Sequence, residues 1–428
     1  MQTIRTIADV VTWRLCLGCG ACAYICKEKK VKLVDFAAVG IRPVLEHADC
    51  GTCRDCLDVC PAVQSDFRHA PAASLPEPSA DLGPEWGPVL SAWEGHATDP
   101  EIRFQGSSGG ALTAIGAYCL DTLGMHGVLH IGQDSDDPVR NRTRLSRSRA
   151  ALSAACGSRY SPACVCNGLG LVEDAPAPCA IIGQPSEIAA VRNAIRMRQK
   201  LERNVGLTLS FFCAGSPSTL GTLALLQRMS VDMGRLRGLR YRGMGWPGHF
   251  APTLTGEVEP CGKLPYRESW AFLQAYRPWS AQMWPDGAGE LADICCGDPW
   301  YVEPDGRNPG FSLVLARTKI GHEIIEGAIR AGYLTLNPAE PWKIRKSQNG
   351  LLQKKGAVWG RRLAMRSLVL PVTRLDGLDL RRCWQPLPMR EKIRATLGTL
   401  RRVFVRKLYR PMRVNSLDGV PVKQATLQ

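Results

Sequence analysis

The sequence CLGCGACAYIC, at residues 16–26, places four cysteines in a C-x2-C-x2-C-x3-C run. A second stretch, CGTCRDCLDVC at residues 50–60, repeats that spacing, and Pro61 follows it. The two-residue gaps place three thiols of each run on one tight loop, where their sulfurs face a common centre, whereas the fourth cysteine points away. The first 65 residues are therefore expected to fold around metal–thiolate bonds, with little apolar core of their own.

The spacing resembles that of bacterial ferredoxins with two 4Fe–4S cubanes, in which the fourth cysteine of each run serves the other cluster. We therefore predict two ligand sets, each with three cysteines from one run and one from the other. The first set is Cys16, Cys19, Cys22 and Cys60, and the second is Cys50, Cys53, Cys56 and Cys26. A protein with such clusters is expected to carry electrons.

Other uses of these cysteines fit the pattern less well. Disulfides need an oxidising compartment, and residues 1–15 have no sustained apolar stretch of the kind that a secretory signal requires. Zinc sites pair one C-x2-C with another pair well downstream, which two complete four-cysteine runs do not match. Reduced thiolates favour the cytoplasm, so we expect a cytoplasmic protein.

Charge is distributed unevenly along the 428 residues, whose net charge is +15. Residues 341–428 contain 21 Lys and Arg but only 4 Asp and Glu, whereas the rest of the chain is nearly neutral. No apolar run approaches the ~20 residues that cross a bilayer. The excess of positive charge therefore belongs to the last part of the chain.

Composition and periodicity divide the chain into four parts. We predict an α+β two-cluster module of the ferredoxin type at residues 1–65, a Pro/Ala-rich linker or wrapping strand at 66–90, an α/β domain at 91–340, and a basic extension at 341–428. The α/β domain is expected to have helices at 111–123, 186–199, 218–228 and 320–331, and strands at 127–131, 179–183, 207–213 and 311–317. Because strands and helices alternate, a largely parallel sheet is expected.

The extension contains one amphipathic helix, predicted at residues 389–409. Its apolar residues share one face: Met389, Ile393, Leu397, Leu400, Phe404 and Leu408. Arginines and lysines surround that face, which suits an anionic membrane surface, such as the inner face of the membrane, or an acidic partner. A surface helix that packs on its own body with a solvated basic face remains an alternative. No nucleic-acid-reading module is recognisable, so we expect no nucleic-acid partner.

Short motifs along the body resemble the coenzyme F420 hydrogenase/dehydrogenase beta-subunit family. In chain order they are SSGG at 107–110, SRYSP at 158–162, GQP at 183–185, FCAG at 212–215, RGMGWPG at 242–248 and GDPW at 297–300. Each motif alone is weak, but their order behind a cluster module is specific. The resemblance covers residues 10–335, and the basic extension lies outside it.

The resemblance implies an iron–sulfur flavoprotein oxidoreductase that holds FAD in the α/β domain. A flavin can exchange single electrons with a cubane and a hydride with an organic carrier. Electrons would pass between a ferredoxin or a partner subunit and a small-molecule hydride acceptor, such as the deazaflavin coenzyme F420 or another organic substrate. Two alternatives remain open: a non-catalytic electron-relay subunit anchored by the basic tail, and a ferredoxin-dependent reductase of a tetrapyrrole or lipid-linked substrate.

The residues expected to bind FAD follow from the same motifs. Ser107, Ser108, Gly109 and Gly110 precede a helix, where backbone donors and the helix N-terminus would cradle the phosphates. The alternative is a simple turn with Ser as the N-cap.

Five further residues complete the expected site. Arg159 would pair with a phosphate or a substrate carboxylate, or else form a surface ion pair. Gly243, Gly245 and Trp246 would lie against the flavin ring, unless the loop is only a tight connection with a buried Trp. Asp298 would bind the ribityl chain or hold a loop. No catalytic residue is assigned.

Departures from the family concern thiols. The family's Gly-Thr-Pro-Cys stretch appears here with Ser186 in the cysteine position. A C-x2-C of many bacterial relatives corresponds to Ala281 and Trp284. Additional cluster or thiol chemistry is therefore not expected at these three positions.

Overall fold

The computed structural model describes residues 4–45, 52–68, 82–304 and 308–428. The strands in these ranges are β1 (Val31–Phe36), β2 (Gly40–Leu45), β3 (Gln64–Asp66), β4 (Ser91–Ala97), β5 (Gly127–Gln133), β6 (Asn141–Ser146), β7 (Cys179–Ile182), β8 (Val205–Phe211), β9 (Leu236–Arg240), β10 (His249–Leu254), β11 (Leu264–Pro265), β12 (Ile294–Gly297), β13 (Ser312–Ala316), β14 (Leu334–Pro338), β15 (Arg374–Asp376), β16 (Val420–Pro421) and β17 (Thr426–Leu427).

The helices in the same ranges are α1 (Ile7–Thr12), α2 (Ala21–Ile25), α3 (Asp55–Asp58), α4 (Pro100–Gln105), α5 (Ala111–Asp121), α6 (Arg149–Ser153), α7 (Leu169–Glu173), α8 (Pro185–Met197), α9 (Gln199–Asn204), α10 (Thr219–Arg228), α11 (Tyr266–Leu273), α12 (Trp279–Met283), α13 (Lys319–Arg330), α14 (Pro341–Ser347), α15 (Asn349–Ser367), α16 (Leu380–Trp384) and α17 (Met389–Val405). None of these described helices combines the length and apolar character needed to cross a bilayer.

A mixed sheet of nine strands forms the centre of the described residues, in the order β14-β4-β13-β12-β8-β7-β5-β6-β17. The strands β12, β8, β7 and β5 run parallel to their neighbours in that run. The flanking pairs β14–β4, β4–β13, β13–β12 and β5–β6 are antiparallel. The outermost pair β6–β17 is parallel. The sheet is therefore mixed, and the prediction of a largely parallel sheet is wrong for these four antiparallel pairs.

The order of the chain explains the antiparallel flanks. Antiparallel neighbours need no crossover helix, and β5 is joined directly to β6 by a loop. The helix α13 does cross over from β13 to β14, but β4 lies between those two strands and pairs antiparallel with both. The strand β4 lies at residues 91–97, before the first predicted strand, and alternation of strands and helices gave no sign of it.

The predicted helices and strands of the α/β domain are all present, as α5, α8, α10, α13, β5, β7, β8 and β13. Local signals explain several of their ends. The helix α8 begins with Pro185 and a capping box between Gln184 and Glu187, and the Thr318 side chain caps α13. The strand β13 is buried along its whole length, as expected for a sheet covered by helices on both faces.

The cysteine-rich segment, described at residues 4–45 and 52–68, packs directly on one face of the large sheet. The buried side chains of Tyr24 and Ile25, on α2, belong to the same apolar core as Leu129 and Ile181 of the sheet and Ile188 of α8. On the opposite face, α5 and α13 pack around a second core that includes Ile115 and Ile325. The cysteine-rich segment thus shares a core with the body.

The described end of the predicted linker is also packed into the body. Trp86 is fully buried, and Leu82 and Val89 join it in a core with Leu315 and Ile344. The predicted linker residues 69–81 lie outside the described residues. Residues 82–90 therefore wrap against the sheet.

The C-terminal extension returns to the body at three strands. The strand β15 pairs with β3, β16 pairs with β1 of the cluster module, and β17 pairs with β6 at the edge of the large sheet. Lys423 strengthens the last contact, since its Nζ lies 2.8 Å from Asp134 Oδ1 and 2.6 Å from Asp136 Oδ2. The extension therefore packs against the rest of the protein at several places along residues 341–428.

The helix α17 ends at Val405, earlier than the predicted residue 409. Its buried residues are the small or β-branched Ala395, Thr399 and Val403. The predicted apolar face points largely outward: the exposed members are Met389, Ile393, Leu397 and Phe404. The helix thus packs on its own body through one face and exposes apolar side chains on another.

Candidate functional site

The four cysteines predicted for the first cluster lie together in the structure. Cys16, Cys19, Cys22 and Cys60 are all buried, and all line one small cavity. Cys60 comes from the second run, as the exchange of fourth cysteines in two-cluster ferredoxins requires. The structure therefore brings these predicted ligands around one common space.

The electrostatics of this cavity fit a positively charged metal centre. Burial raises the pKa of the Cys22 thiol well above its ordinary value, and neighbouring Cys19, Cys16 and Cys60 raise it further. The pKa of Cys60 is raised in the same way, by burial and then by Cys19 and Cys16. Several buried thiolates this close repel one another when no cation is bound. A bound cation, by contrast, deprotonates a coordinating thiol outright. The donor set therefore fits an iron–sulfur cluster.

A cubane differs from a single ion because each cysteine binds a different iron atom. Within the described ranges, no three side chains of His, Cys, Asp or Glu converge closely enough to hold a single metal ion.

The second predicted set is described in part. Cys53 is exposed, while Cys26 and Cys56 are partly buried. Cys56 packs against the core that contains Cys16, Cys22 and Cys60. Cys50 lies outside the described residues.

The loop of the first cluster lies directly on a segment of the body. The backbone N–H of Cys166 donates to the Cys19 carbonyl at 3.1 Å. Gly20 has φ +89°, and a Cβ atom added there would lie 3.0 Å from the Asn167 nitrogen. Glycine at position 20 therefore allows a close approach between the cysteine loop and residues 164–167.

The other side of that segment faces a large cleft with a cavity volume of about 830 Å³. Ala163 and Val165 line the cleft, together with Gln184 and Glu187 of the α8 N-terminus. One peptide segment therefore separates the cysteine loop from the cleft.

Glu187 links that segment to α8. Its Oε1 accepts the Val165 N–H at 2.8 Å, and its Oε2 accepts the Gln184 N–H at 2.9 Å. Burial raises the pKa of the Glu187 carboxyl to about 7, although the two backbone donors oppose the shift. Sequence reasoning missed this residue, but the capping-box spacing between Gln184 and Glu187 was a signal for it.

The predicted phosphate cradle opens into the cleft. Ser107, Ser108 and Gly110 line it, and the first turn of α5 continues the same wall. Gly110 is the N-cap of α5, with φ +74°, and no described side chain caps this helix. The alternative of a serine N-cap is therefore wrong, and the first residues of α5 line the cleft without a side-chain cap.

Gly109 lies behind the cradle. Its N–H donates to Ser312 Oγ at 2.9 Å, and a Cβ added to it would lie 2.7 Å from both the Gly95 carbonyl oxygen and Phe311 Cα. The residue therefore lets the loop pack tightly on the edge of β4 and β13, which shapes the cradle without lining it.

Asp298 lines the cleft and pairs with a buried arginine. Arg242 Nη1 donates to Asp298 Oδ2 at 2.8 Å, and Arg242 Nη2 donates to Asp298 Oδ1 at 2.7 Å. Arg242 also donates to the carbonyl oxygens of Pro247 and Ser107. Burial alone would lower the pKa of Arg242, but Asp298, with help from Tyr160 and Tyr266, more than offsets this, and the pKa is raised well above its ordinary value. This pair joins three loops around the cleft, which contain Ser107, Arg242 and Asp298.

The loop that contains Gly243, Gly245 and Trp246 lies behind the cleft wall. The Gly245 N–H donates to the Phe104 carbonyl at 2.9 Å, and a Cβ added to Gly243 would lie 2.2 Å from the Gln105 carbonyl oxygen. Trp246 is buried, and its Nε1 donates to Asp298 Oδ1 at 3.0 Å. Gly243, Gly245 and Trp246 therefore pack behind the residues that line the cleft and do not line it themselves.

Aromatic rings that the sequence did not single out form the wall at this point. Tyr266 and Trp300 line the cleft and stack with ring centroids 5.5 Å apart and an interplanar angle of 3°. The Arg242 guanidinium lies 4.3 Å from the Tyr266 ring centroid. These rings give the cleft a flat, largely apolar surface.

Arg159 lines the cleft, but protein atoms take up its donors. Its Nη1 donates to the Leu239 carbonyl at 2.8 Å and its Nη2 to the Pro138 carbonyl at 2.6 Å, while its Nε donates to Asn141. Its guanidinium also lies over the Tyr241 ring. Arg159 therefore holds neighbouring loops in place, and the predicted surface ion pair does not form among the described residues.

A smaller pocket lies between the cluster loop and the cleft. Leu17 and Gly18 line one side of it, and Cys213 lines the other. The three positions at which the sequence departs from the family also line this pocket: Ser186, Ala281 and Trp284. These departures are thus neighbours in space, although two of them lie far from the first in the sequence.

Family comparisons match two ranges of the body. The model for the N-terminal part of the coenzyme F420 hydrogenase/dehydrogenase beta subunit matches residues 92–169. The model for the C-terminal part of the same beta subunit matches residues 178–341. Together the two ranges cover more than half of the chain, and residues 342–428 lie outside both.

Two curated proteins are similar in sequence. Coenzyme F420 hydrogenase subunit beta of Methanococcus voltae is 23% identical over 295 residues, which cover 67% of this chain and 99% of that protein. Its counterpart in Methanosarcina barkeri (strain Fusaro / DSM 804) is 24% identical over 271 residues, which cover 61% of this chain and 86% of that protein.

A solved structure is similar in fold. It is a chain of the F420-reducing [NiFe] hydrogenase complex from Methanosarcina barkeri, with a TM-score of 0.55 and 20% sequence identity. The match covers 70% of this chain and 99% of that chain.

Proposed function

Because the chain belongs to the coenzyme F420 hydrogenase/dehydrogenase beta-subunit family, an oxidoreductase family, we propose that it is an iron–sulfur flavoprotein with two 4Fe–4S clusters and FAD. It passes electrons between a ferredoxin or a partner subunit and an organic hydride acceptor. The similarity to a chain of a hydrogenase complex supports a partner subunit.

One observation carries this proposal. Cys16, Cys19, Cys22 and Cys60 surround one cavity, and the loop that bears them packs on residues 164–167, whose other side faces the cleft. A cluster at the cavity and a flavin in the cleft would be separated by one peptide segment. That arrangement suits electron transfer between the two.

The cysteines would hold the clusters in the two predicted sets. Cys16, Cys19, Cys22 and Cys60 would hold the first. Cys50, Cys53, Cys56 and Cys26 would hold the second, of which Cys50 lies outside the described residues.

The cleft offers FAD both polar and apolar surfaces. The uncapped N-terminus of α5 and the loop with Ser107 and Ser108 would bind the phosphates through backbone N–H groups. Tyr266 and Trp300 would contact an aromatic ring system. When bound, FAD exchanges single electrons with iron–sulfur clusters and a hydride with the organic substrate.

The protein's own residues keep this cleft in shape. The Arg242–Asp298 pair ties the phosphate-binding loop to the loop of Trp246, so the donors stay aimed at the ligand. Buried Trp246 lies behind this pair and donates to Asp298. Preorganised donors of this kind lose little freedom when the ligand binds.

The volume of the cleft supports this proposal over a non-catalytic relay. A relay subunit needs no cavity for an organic acceptor, whereas 830 Å³ lies within the range of about 300–1,000 Å³ of small-molecule sites. We therefore place a substrate beside FAD, either coenzyme F420 or another small organic molecule.

The test uses full-length protein purified without oxygen. Denaturation should release FAD, and reduced protein should transfer hydride to one member of a panel of deazaflavin coenzyme, nicotinamides and flavins. Protein that contains its full iron but no flavin would contradict the proposal.

A second candidate is a reductase that acts on a lipid-linked or tetrapyrrole substrate at the inner face of the membrane, and it differs from the first only in the acceptor. The observation that favours it is the outward face of α17, where Ile393, Leu397 and Phe404 are exposed beside arginines. We place the protein in the cytoplasm in either case.

Vesicle flotation tests this candidate. Wild-type protein should float with phosphatidylglycerol vesicles but not with phosphatidylcholine vesicles. The double variant Leu397→Gln, Phe404→Gln should remain at the bottom of the gradient. Equal flotation of both proteins, or none with either lipid, would contradict a membrane surface.

A further inference from the structure

Five basic side chains line one part of the large cleft: Arg277, Lys354, Arg361, Arg394 and Arg402. Arg277 follows α11, while α15 supplies Lys354 and Arg361 and α17 supplies Arg394 and Arg402. Four of the five therefore come from the C-terminal extension, beyond the residues that the family models match. The cleft is therefore lined both by residues within the family-matched ranges and by residues of the C-terminal extension.

Carboxylates do not balance this charge. Arg394 lies 3.9 Å from Glu391. In the described parts of the chain, Arg277, Lys354, Arg361 and Arg402 have no carboxylate within ion-pair distance. The cluster therefore carries excess positive charge in a partly buried place.

Most hydrogen bonds of these side chains go to backbone oxygens, and Arg402 also donates to Thr399 Oγ1 at 3.3 Å. Arg277 Nη1 and Lys354 Nζ both donate to the Ala214 carbonyl, at 2.9 Å and 3.1 Å. Arg402 Nε donates to the Gly398 carbonyl at 2.8 Å, and Arg361 Nη1 donates to the Gln282 carbonyl. Arg361 Nε is buried, and no described atom accepts its hydrogen bond. A buried charged donor without an acceptor is costly, and a ligand acceptor would remove that cost.

The charges also act on one another. Burial, with further contributions from Arg402, Arg277 and Arg394, lowers the pKa of Arg361 to about 10. Burial lowers the pKa of Lys354, Arg277 and Arg361 add to the shift and Cys213 opposes it, and the net pKa is about 7. Cations that destabilise one another in this way are stabilised together by one shared anion.

We propose that these five basic side chains bind the anionic end of the organic substrate, which is a carboxylate or a phosphate. The reacting end of the same substrate lies beside FAD in the same cleft. The inference rests on the proposed function for the location of the reacting end. Guanidinium groups suit it because they bind carboxylate and phosphate oxygens in pairs. The basic extension would then serve the substrate site directly.

Two sources of phosphate share this chemistry, namely FAD itself and the substrate. The helix N-terminus of α5 already offers FAD a phosphate site without any of these five side chains. We therefore assign the five basic side chains to the substrate. The FAD content of the variants distinguishes the two sources of phosphate.

The experiment measures anion binding to anaerobic holoprotein by calorimetry, with inorganic pyrophosphate and citrate as probes. The test variant is Arg361→Gln, Arg402→Gln. The control is Arg366→Gln, Arg382→Gln, which removes the same charge from two exposed arginines of the extension that lie away from the cleft. We expect the test variant to bind at least one probe about tenfold or more weakly than wild type. The control should bind as wild type does.

A second variant tests the proposal in the opposite direction. Glu391 lines the cleft beside Arg394, so Glu391→Gln removes a competing carboxylate and should tighten anion binding. Equal affinity of wild type, test variant and Glu391→Gln would overturn the proposal. Loss of FAD from the test variant would also overturn the proposal, because the basic side chains would then bind the flavin and not the substrate. Iron and FAD contents are measured on the same samples, so failure of the proposed redox function is seen separately.

Discussion

Arg242 and Asp298 form a largely buried, doubly hydrogen-bonded ion pair, with Nη1–Oδ2 and Nη2–Oδ1 distances of 2.8 and 2.7 Å. Trp246 donates to the same carboxylate at 3.0 Å. Arg242 is 2% exposed, so loss of its partner would leave an uncompensated charge away from water. The pair therefore supports both the fold of three loops and the cleft between them.

The first prediction concerns this pair. Asp298→Asn should lower the free energy of unfolding by about 3–5 kcal/mol, the usual cost of removing one partner of a buried pair. Asp121→Asn is the control, because its ion pair with Arg149 lies at the surface, with side chains 32% and 45% exposed, and should be worth under about 1 kcal/mol. Urea denaturation of both variants checks the difference, and equal stability would show that the pair is unimportant.

The second prediction concerns the ligand sets. Cys60→Ser and Cys16→Ser should remove iron from the same cluster, since both cysteines line the same cavity. Cys164→Ser changes a buried cysteine of the same core that is not in either ligand set, and iron should be retained. Iron and sulfide analysis, with electron paramagnetic resonance of the reduced protein, checks this. Full retention of both clusters in Cys60→Ser would refute the exchange of fourth cysteines.

The third prediction concerns the cradle. Gly109→Ala should reduce FAD retention, because the added Cβ would lie 2.7 Å from backbone atoms of residues 95 and 311 and the loop would have to shift. Gly170→Ala is a matched control, since nothing lies within 4 Å of its added Cβ and its helix should tolerate alanine. The FAD content of each purified variant is the measurement. Normal FAD content in Gly109→Ala would place the flavin elsewhere.

The fourth prediction concerns pH. The pKa of Lys354 is lowered to about 7, first by burial, and the charged or titratable groups that act on it are Cys213, Arg277, Arg361 and Asp286. Lys354 is thus neutral above pH 7 and charged below it, so an anion should bind more tightly as the pH falls from 8 to 6. Sulfate is a suitable probe because it does not titrate in that range.

Lys354→Met supplies the control for this pH dependence. The variant should bind sulfate with nearly the same affinity at pH 6 and pH 8, whereas wild type should gain several-fold on acidification. An unchanged gain in the variant would assign the titration to another group.

The sequence predicted parts of the site that depend on local spacing. The cysteine runs, the turn before α5 and the strands and helices around it follow from neighbouring residues. The antiparallel flanks of the sheet could not be predicted in this way, since β4 pairs with β13 and β14, which lie far along the chain.

Partners distant in the sequence explain the other differences. Arg242 lies in a glycine-rich loop, and nothing local indicates that its partner is Asp298. Periodicity showed that Leu397 and Phe404 share a face of α17, but it could not show that the face points outward. The small surface of Ala395 and Thr399 packs inward instead, because it allows a close approach to the body.

The central claim, that two iron–sulfur clusters lie beside a flavin, is tested most directly by the composition of anaerobically purified full-length protein. We predict iron and acid-labile sulfide for two 4Fe–4S clusters and one FAD per chain, with a brown colour that bleaches on reduction. Folded protein that contains zinc in place of iron, or that is colourless after reconstitution, would contradict the claim.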